Sequence, residues 1–126
     1  MIPPAMAAGR ILIVDDDPGV RVAVSAALKS AGYETRLARH GVEALNALRS
    51  QGADLVLLDL VMDTMTGAEF LEVKAADPGL AGIPVIAMSG HLATPHLTDV
   101  SWVLQKPIDL DQLLSHVHAA LRTPKP

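Results

Sequence analysis

An α/β fold, a parallel sheet with helices on both faces, is what this sequence predicts. Short apolar, β-branched runs alternate along the chain with segments whose apolar residues recur at helical spacing. The apolar runs are continuous rather than alternating, which marks strands covered on both faces. A third observation concerns function: Asp15, Asp16, Asp59, Ser89 and Lys106 all fall where these runs end.

Each element follows from its residues. Arg10 to Val14 reads as a buried strand. Asp17-Pro18 is an N-cap followed by proline at the first helical position. Val20, Val24, Ala27 and Leu28 then recur at helical spacing, and Gly32 stops that helix. Tyr33 to Ala38 is a second strand. Val42, Leu45 and Leu48 mark a second helix, ended by Gly52. Asp54 to Leu58 is a third strand. Glu69 to Ala76 continues a third helix, with Phe70, Leu71 and Val73 expected inward and Pro78-Gly79 beyond its end. Ile83 to Met88 is a fourth strand, with Pro84 near its start, where a missing N–H is tolerated. Trp102 to Leu104 is a short fifth strand. Asp109 caps a last helix, with Gln112 as capping-box partner and Ile108 and Leu113 in staple positions. Leu114, Val117 and Leu121 form its apolar stripe.

Composition bounds the function classes. The chain has 126 residues, enough for one domain, and half of them are apolar. Residues 1–9 are expected as a flexible leader, 10–122 as the domain and 123–126 as a tail. The net charge of -4 and the scattered basic residues argue against a nucleic-acid surface. Cysteine is absent, which excludes disulfides and thiolate metal sites. No apolar run approaches a membrane span, and the N-terminus lacks the pattern of a signal peptide. A cytoplasmic location is expected.

Ligands of parallel sheets bind outside the carboxyl ends of the strands. Here strand one ends at Asp15-Asp16-Asp17, strand three at Asp59, strand four at Ser89-Gly90 and strand five at Gln105-Lys106-Pro107. Carboxylates about 4 Å apart repel by roughly 1 to 4 kcal/mol. A hard divalent cation relieves that, and magnesium prefers a few carboxylates with waters and a phosphate oxygen. A carboxylate is also a nucleophile toward phosphorus. Lys106, Ser89 and magnesium would meet the developing charge. Each residue has a bland alternative: a turn, a cap or a solvated lysine. Four such coincidences, at the ends of four of the five strands, argue against those alternatives.

These segments resemble a known family. ILIVDDDPGVR, DLVLLDLVMDTMTG, PVIAMSG and LQKPIDLDQL are similar to the four signatures of response-regulator receiver domains, over about Arg10 to Leu121. The resemblance implies a five-stranded doubly wound sheet in the order 2-1-3-4-5. It places Asp59 as the phosphoacceptor and Asp15 and Asp16 as the acidic pair. Asp16, Asp59 and the Val61 backbone carbonyl would be the direct Mg2+ ligands. Ser89 would be the switch hydroxyl, Lys106 the essential lysine and Pro107 a cis proline. The implied partners are a histidine kinase or phosphotransfer protein and a downstream protein, with no direct nucleic acid and no membrane. The implied protein is a phosphoacceptor that assists its own phosphorylation and dephosphorylation, not an enzyme acting on other substrates. No effector domain is expected in the chain, and the LQKP and MSG wording resembles receivers of hybrid kinases.

Three departures from the family pattern stand out. Asp63 replaces the usual loop proline. Only residues 90–105 separate Ser89 from Lys106, so a short or irregular fourth helix is expected from about Thr94 to Val100. Val103 occupies the usual aromatic switch position, and the adjacent Trp102 points to the other face. Val61 and His91, each two residues after a site residue, flank the expected line of water attack on the phosphoryl group.

Two other readings compete. A haloacid-dehalogenase-like phosphatase would use Asp15 and Asp17 and leave Asp59 idle. A pseudo-receiver docking module would lack a working acid pocket. A dinucleotide-binding domain is disfavoured because no Gly-rich turn follows strand one. The histidines offer no metal pattern: His116 and His118 do not share a helix face, His40 and His96 stand apart, and solvated surface positions are expected.

Overall fold

The computed structural model describes residues 9–61, 65–90 and 100–122. Within them the chain runs β1 (Arg10–Val14), α1 (Pro18–Ser30), β2 (Glu34–Ala38), α2 (Gly41–Gln51), β3 (Leu55–Asp59), α3 (Gly67–Ala76), β4 (Val85–Ser89), β5 (Trp102–Gln105) and α4 (Leu110–Arg122). The five strands are parallel and ordered β2-β1-β3-β4-β5. This is the predicted doubly wound sheet. The expected fourth helix, together with Asp63, His91 and His96, lies outside the described residues.

Period-two alternation along the strands splits the core into two layers. Leu12, Val14, Val56, Leu58 and Val85 pack with Ala44, Leu45 and Leu48 of α2 and Phe70 and Leu71 of α3. Ile11, Ile13, Leu55, Leu57, Ile86, Met88 and Leu104 pack with Val24 and Leu28 of α1 and Leu113 and Val117 of α4. Every residue of β3 and β4 is buried.

The helix ends follow local chemistry. Asp17 caps α1, its Oδ1 accepting from the Gly19 and Val20 N–H groups. Gly32 and Gly52 stand at φ 97° and 72°, left-handed values that favour glycine at the exits of α1 and α2. Helix α3 begins two residues earlier than the apolar pattern suggested. Thr66 Oγ1 accepts from the Glu69 N–H while Glu69 accepts from the Thr66 N–H, a reciprocal capping box. Asp109 caps α4 through Oδ1, which accepts from the Asp111 and Gln112 N–H groups.

Three sequence expectations need correction. Val73 is 37% exposed, and Lys74, one residue on, is buried instead. The buried face of α3 is therefore Phe70, Leu71 and Lys74, a helical stripe whose last member is charged. Lys74 tolerates that place because its stem is apolar and its Nζ donates to the Ala81 carbonyl at 3.2 Å. Likewise, Val42 is exposed, and Gly41 and Ala44 take the inward places beside Leu45 and Leu48. His40 is not simply solvated: its Nδ1 accepts from the Glu43 N–H and caps α2. His116 is also engaged, with its ring 5.1 Å from that of Trp102.

Candidate functional site

Strand parity builds the site. Continuing the alternation past Ile13, Leu57 and Leu104 puts Asp15, Asp59 and Lys106 on the α1–α4 side of the sheet at its carboxyl rim. Register brings them level. Val14 pairs with Leu58, Asp59 with Met88, and Ser89 with Gln105, so the residues that leave each strand end converge. The Lys106 N–H donates to the Ser89 carbonyl at 2.7 Å, and the Lys106–Pro107 bond is cis.

Asp15 is fully buried and held on four sides. Its N–H donates to the Ala38 carbonyl at 3.1 Å. Oδ1 accepts from the Asp17 N–H at 2.9 Å, and Oδ2 accepts from Lys106 Nζ at 2.8 Å. Its carbonyl accepts from Arg21 Nη1 at 2.7 Å. Asp59 is buried at the tip of β3. Its Oδ1 accepts from the Val61 N–H at 3.1 Å, and Oδ2 lies 3.4 Å from Lys106 Nζ. One ammonium thus bridges two carboxylates. Asp16 is exposed at the mouth, and oxygens of Asp15, Asp16 and Asp59 lie within 4.8 Å of one another. Ser89 is buried at the neighbouring strand tip.

Charge in this pocket is unbalanced: among the described residues one ammonium touches the side chains of a three-carboxylate group. Burial raises the Asp59 carboxyl from 3.8 to about 6, with the Val61 N–H opposing, Asp15 adding to the rise and Lys106 opposing. For Lys106, burial acts downward, but Asp15 and then Asp59 outweigh it, and its pKa rises. Excess negative charge on a small, all-oxygen donor set fits a hard divalent ion such as magnesium. The Val61 backbone adjoins the Asp59 carboxylate, as its expected carbonyl ligand requires.

The structure therefore brings Asp15, Asp16, Asp59, Lys106 and the Val61 backbone together, and leaves Ser89 buried at the tip of the neighbouring strand. It also separates Asp17 from them, since the Asp17 carboxylate is spent on capping α1. That removes the second acid a dehalogenase-like phosphatase would need. Two residues were missed. Arg21 is one; its signal was a cation near the positive end of a helix dipole, a place that needs a local acceptor. Gly67 is the other: a Cβ there would sit 2.7 Å from Leu60 Cα and 3.1 Å from the Asp59 carbonyl oxygen.

Beside the acids, a groove of about 320 Å³ runs between α1 and the segment before α4. Val20, Ala23, Pro107, Ile108 and Leu110 line it, and Asp17 and Lys106 stand at its edge. Val103 is exposed on the opposite face of β5 from Trp102, which packs with the α1–α4 layer. Among the described residues no helix is long and apolar enough to cross a membrane.

Residues 11–118 match the model of the response regulator receiver domain. Transcriptional regulatory protein GlrR of Escherichia coli is 36% identical over 92% of this chain and 27% of its own length. DNA-binding response regulator MtrA of Mycolicibacterium smegmatis is 32% identical over 90% of this chain and 50% of its own. This chain thus spans between about a quarter and a half of these curated relatives. Among solved structures, the receiver domain of a signal transduction histidine kinase from Syntrophus aciditrophicus superposes with a TM-score of 0.78 at 30% identity, covering 92% of this chain and 95% of that one. Chemotaxis protein CheY4 of Vibrio cholerae superposes at 0.81 and 27% identity, covering 88% and 97%.

Proposed function

Because the chain belongs to the response regulator receiver family of two-component systems, we propose that Asp59 accepts a phosphoryl group, with magnesium bound, from the phosphohistidine of a histidine kinase or phosphotransfer protein. A small acyl phosphate would serve as an alternative donor. The observation that carries this reading is the buried Asp59 carboxylate, bridged by Lys106 to Asp15 and with an Asp16 oxygen within 4.8 Å.

Asp59 is the nucleophile. With a pKa of about 6 it is mostly ionised near neutral pH, yet poorly solvated and so reactive. An Asp59 carboxylate oxygen forms the new bond to phosphorus. The bond from phosphorus to the donor nitrogen or acyl oxygen breaks, and the leaving group keeps the electron pair. Asp16, Asp59 and the Val61 carbonyl would hold magnesium, with Asp15 beside them, and the bound ion supplies charge neutralisation at the phosphoryl oxygens. Lys106 Nζ, already 3.4 Å from Asp59 Oδ2, is placed to follow the new negative charge. The Ser89 hydroxyl, one strand over, is the donor that would turn toward the phosphoryl group. The groove along α1 supports approach by a protein donor next to Asp59.

The phosphorylated state would bias partner binding on the β4–β5 side, with a coupling of about 1–3 kcal/mol. Since Val103 occupies the usual aromatic position and Trp102 faces the other layer, inward movement of a ring at that position is not the means. Beyond its own phosphorylation and dephosphorylation, no further catalysis is proposed. The test is labelling by a small acyl phosphate, with and without magnesium, of wild type and Asp59→Asn. Magnesium-dependent labelling of wild type alone is expected; equal labelling of both proteins refutes the reading.

A further inference from the structure

We propose that Arg21 is a positioning residue for the metal-binding acids, one that orients Asp16 without touching it. The inference rests on the magnesium-dependent reading above. Among the described residues no hydrogen bond or ion pair holds the exposed Asp16 side chain. Its placement is therefore inherited from the backbone on either side. Asp17 is fixed by the cap, its carboxylate bound to Gly19 and Val20 N–H groups and its own N–H to Asp15 Oδ1. On the other side, the Asp15–Asp16 peptide is oriented by its carbonyl, and that carbonyl is bound by Arg21 Nη1 at 2.7 Å. A guanidinium donating to a carbonyl in a half-buried setting is a strong, charge-assisted contact. Arg21 lies in the first turns of α1, where the helix dipole disfavours a cation, so helix stability does not account for it there. Rotation of this peptide would carry the Asp16 carboxylate away from Asp15 and Asp59, whose own places are set by the sheet.

The sign of the effect separates positioning from plain electrostatics. If Arg21 acted only as a nearby positive charge, its loss would tighten magnesium binding. If it orients Asp16, its loss weakens binding. The experiment is calorimetric titration of magnesium into the full chain as wild type, Arg21→Ala, Arg21→Gln and Arg21→Lys, paired with acyl phosphate labelling across a magnesium series. Arg21→Ala is expected to bind magnesium about tenfold more weakly, the order seen when the support of a metal ligand is removed. Arg21→Lys, which keeps a donor of similar reach, recovers most of that loss. Half-maximal labelling shifts to higher magnesium by the same factor, while the maximal rate at saturating magnesium stays as in wild type. Unchanged or tighter binding in Arg21→Ala overturns the proposal, as does a fall in maximal rate without a shift in half-maximal magnesium. Should Arg21→Ala unfold, Arg21→Gln carries the same expectation and the same refutation. Wild type that binds magnesium but is not labelled on Asp59 counts against the proposed function, and the calorimetric comparison still decides the role of Arg21. Wild type that binds no magnesium overturns both.

Discussion

Asp59 should make the metal-free protein less stable at neutral pH than at mildly acid pH, and Asp59→Asn should abolish that dependence. Burial lifts its carboxyl from 3.8 to about 6. The folded protein therefore holds this proton more tightly than the unfolded chain does. Below about pH 4 both states carry the proton and nothing is lost. As pH rises from about 4 to 6 the unfolded chain releases its proton first, so stability falls, and above about 6 the loss is complete. A rise of about two units at 1.36 kcal/mol each sets a ceiling of about 3 kcal/mol. Solvent reaches the rim beside exposed Asp16, so about 1–2 kcal/mol is expected. In chelator, urea unfolding followed by far-UV circular dichroism should find Asp59→Asn more stable than wild type by that amount at pH 7.5. The gap should close toward pH 4. Added magnesium should narrow it, because the ion binds folded wild type and stabilises it by mass action. Equal stability at pH 7.5, or a gap that widens in acid, refutes the argument that desolvated Asp59 charge is what this pocket holds in check.

Removing the ammonium in Lys106→Ala leaves Asp15 and Asp59 facing each other without a cation. A loss of about 1–3 kcal/mol in chelator is expected, since the lysine is partly exposed and the full penalty for a broken buried pair is larger; magnesium titration during urea unfolding should recover part of it, and labelling of Asp59 should slow sharply. Gly67→Ala forces a Cβ to 2.7 Å from Leu60 Cα, backbone that cannot swing aside; overpacking of about 1–3 kcal/mol should appear as a lowered thermal midpoint together with slower Asp59 labelling. His40→Ala removes the α2 cap and should cost about 0.5–2 kcal/mol in chemical unfolding at pH 7.5.

Local chemistry by itself determined the alternation of elements, the cap at Asp17, the glycine exits at Gly32 and Gly52, and the polar residues at the strand ends. These depend on patterns a few residues long: continuous apolar runs, a carboxylate before proline, a left-handed backbone. The acid site was legible for the same reason, because residues that end parallel strands must share one rim. Tertiary structure decided what those patterns leave open. The rotation of α3 about its axis, which buries Lys74 and exposes Val73, depends on where the Ala81 carbonyl lies to receive Nζ. His40 became a cap because β2 delivers it in an extended conformation to the start of α2. The contact between Lys106 and Asp15 spans 91 positions and exists only because β5 and β1 end level on the same face of one sheet. Arg21 reaches the Asp15 carbonyl because α1 folds back over β1. The pairing of Lys106 with Asp15 and Asp59 is set by register and crossover, which no short stretch of sequence encodes, and it turns an aspartate after an apolar strand into a desolvated carboxylate poised beside a lysine.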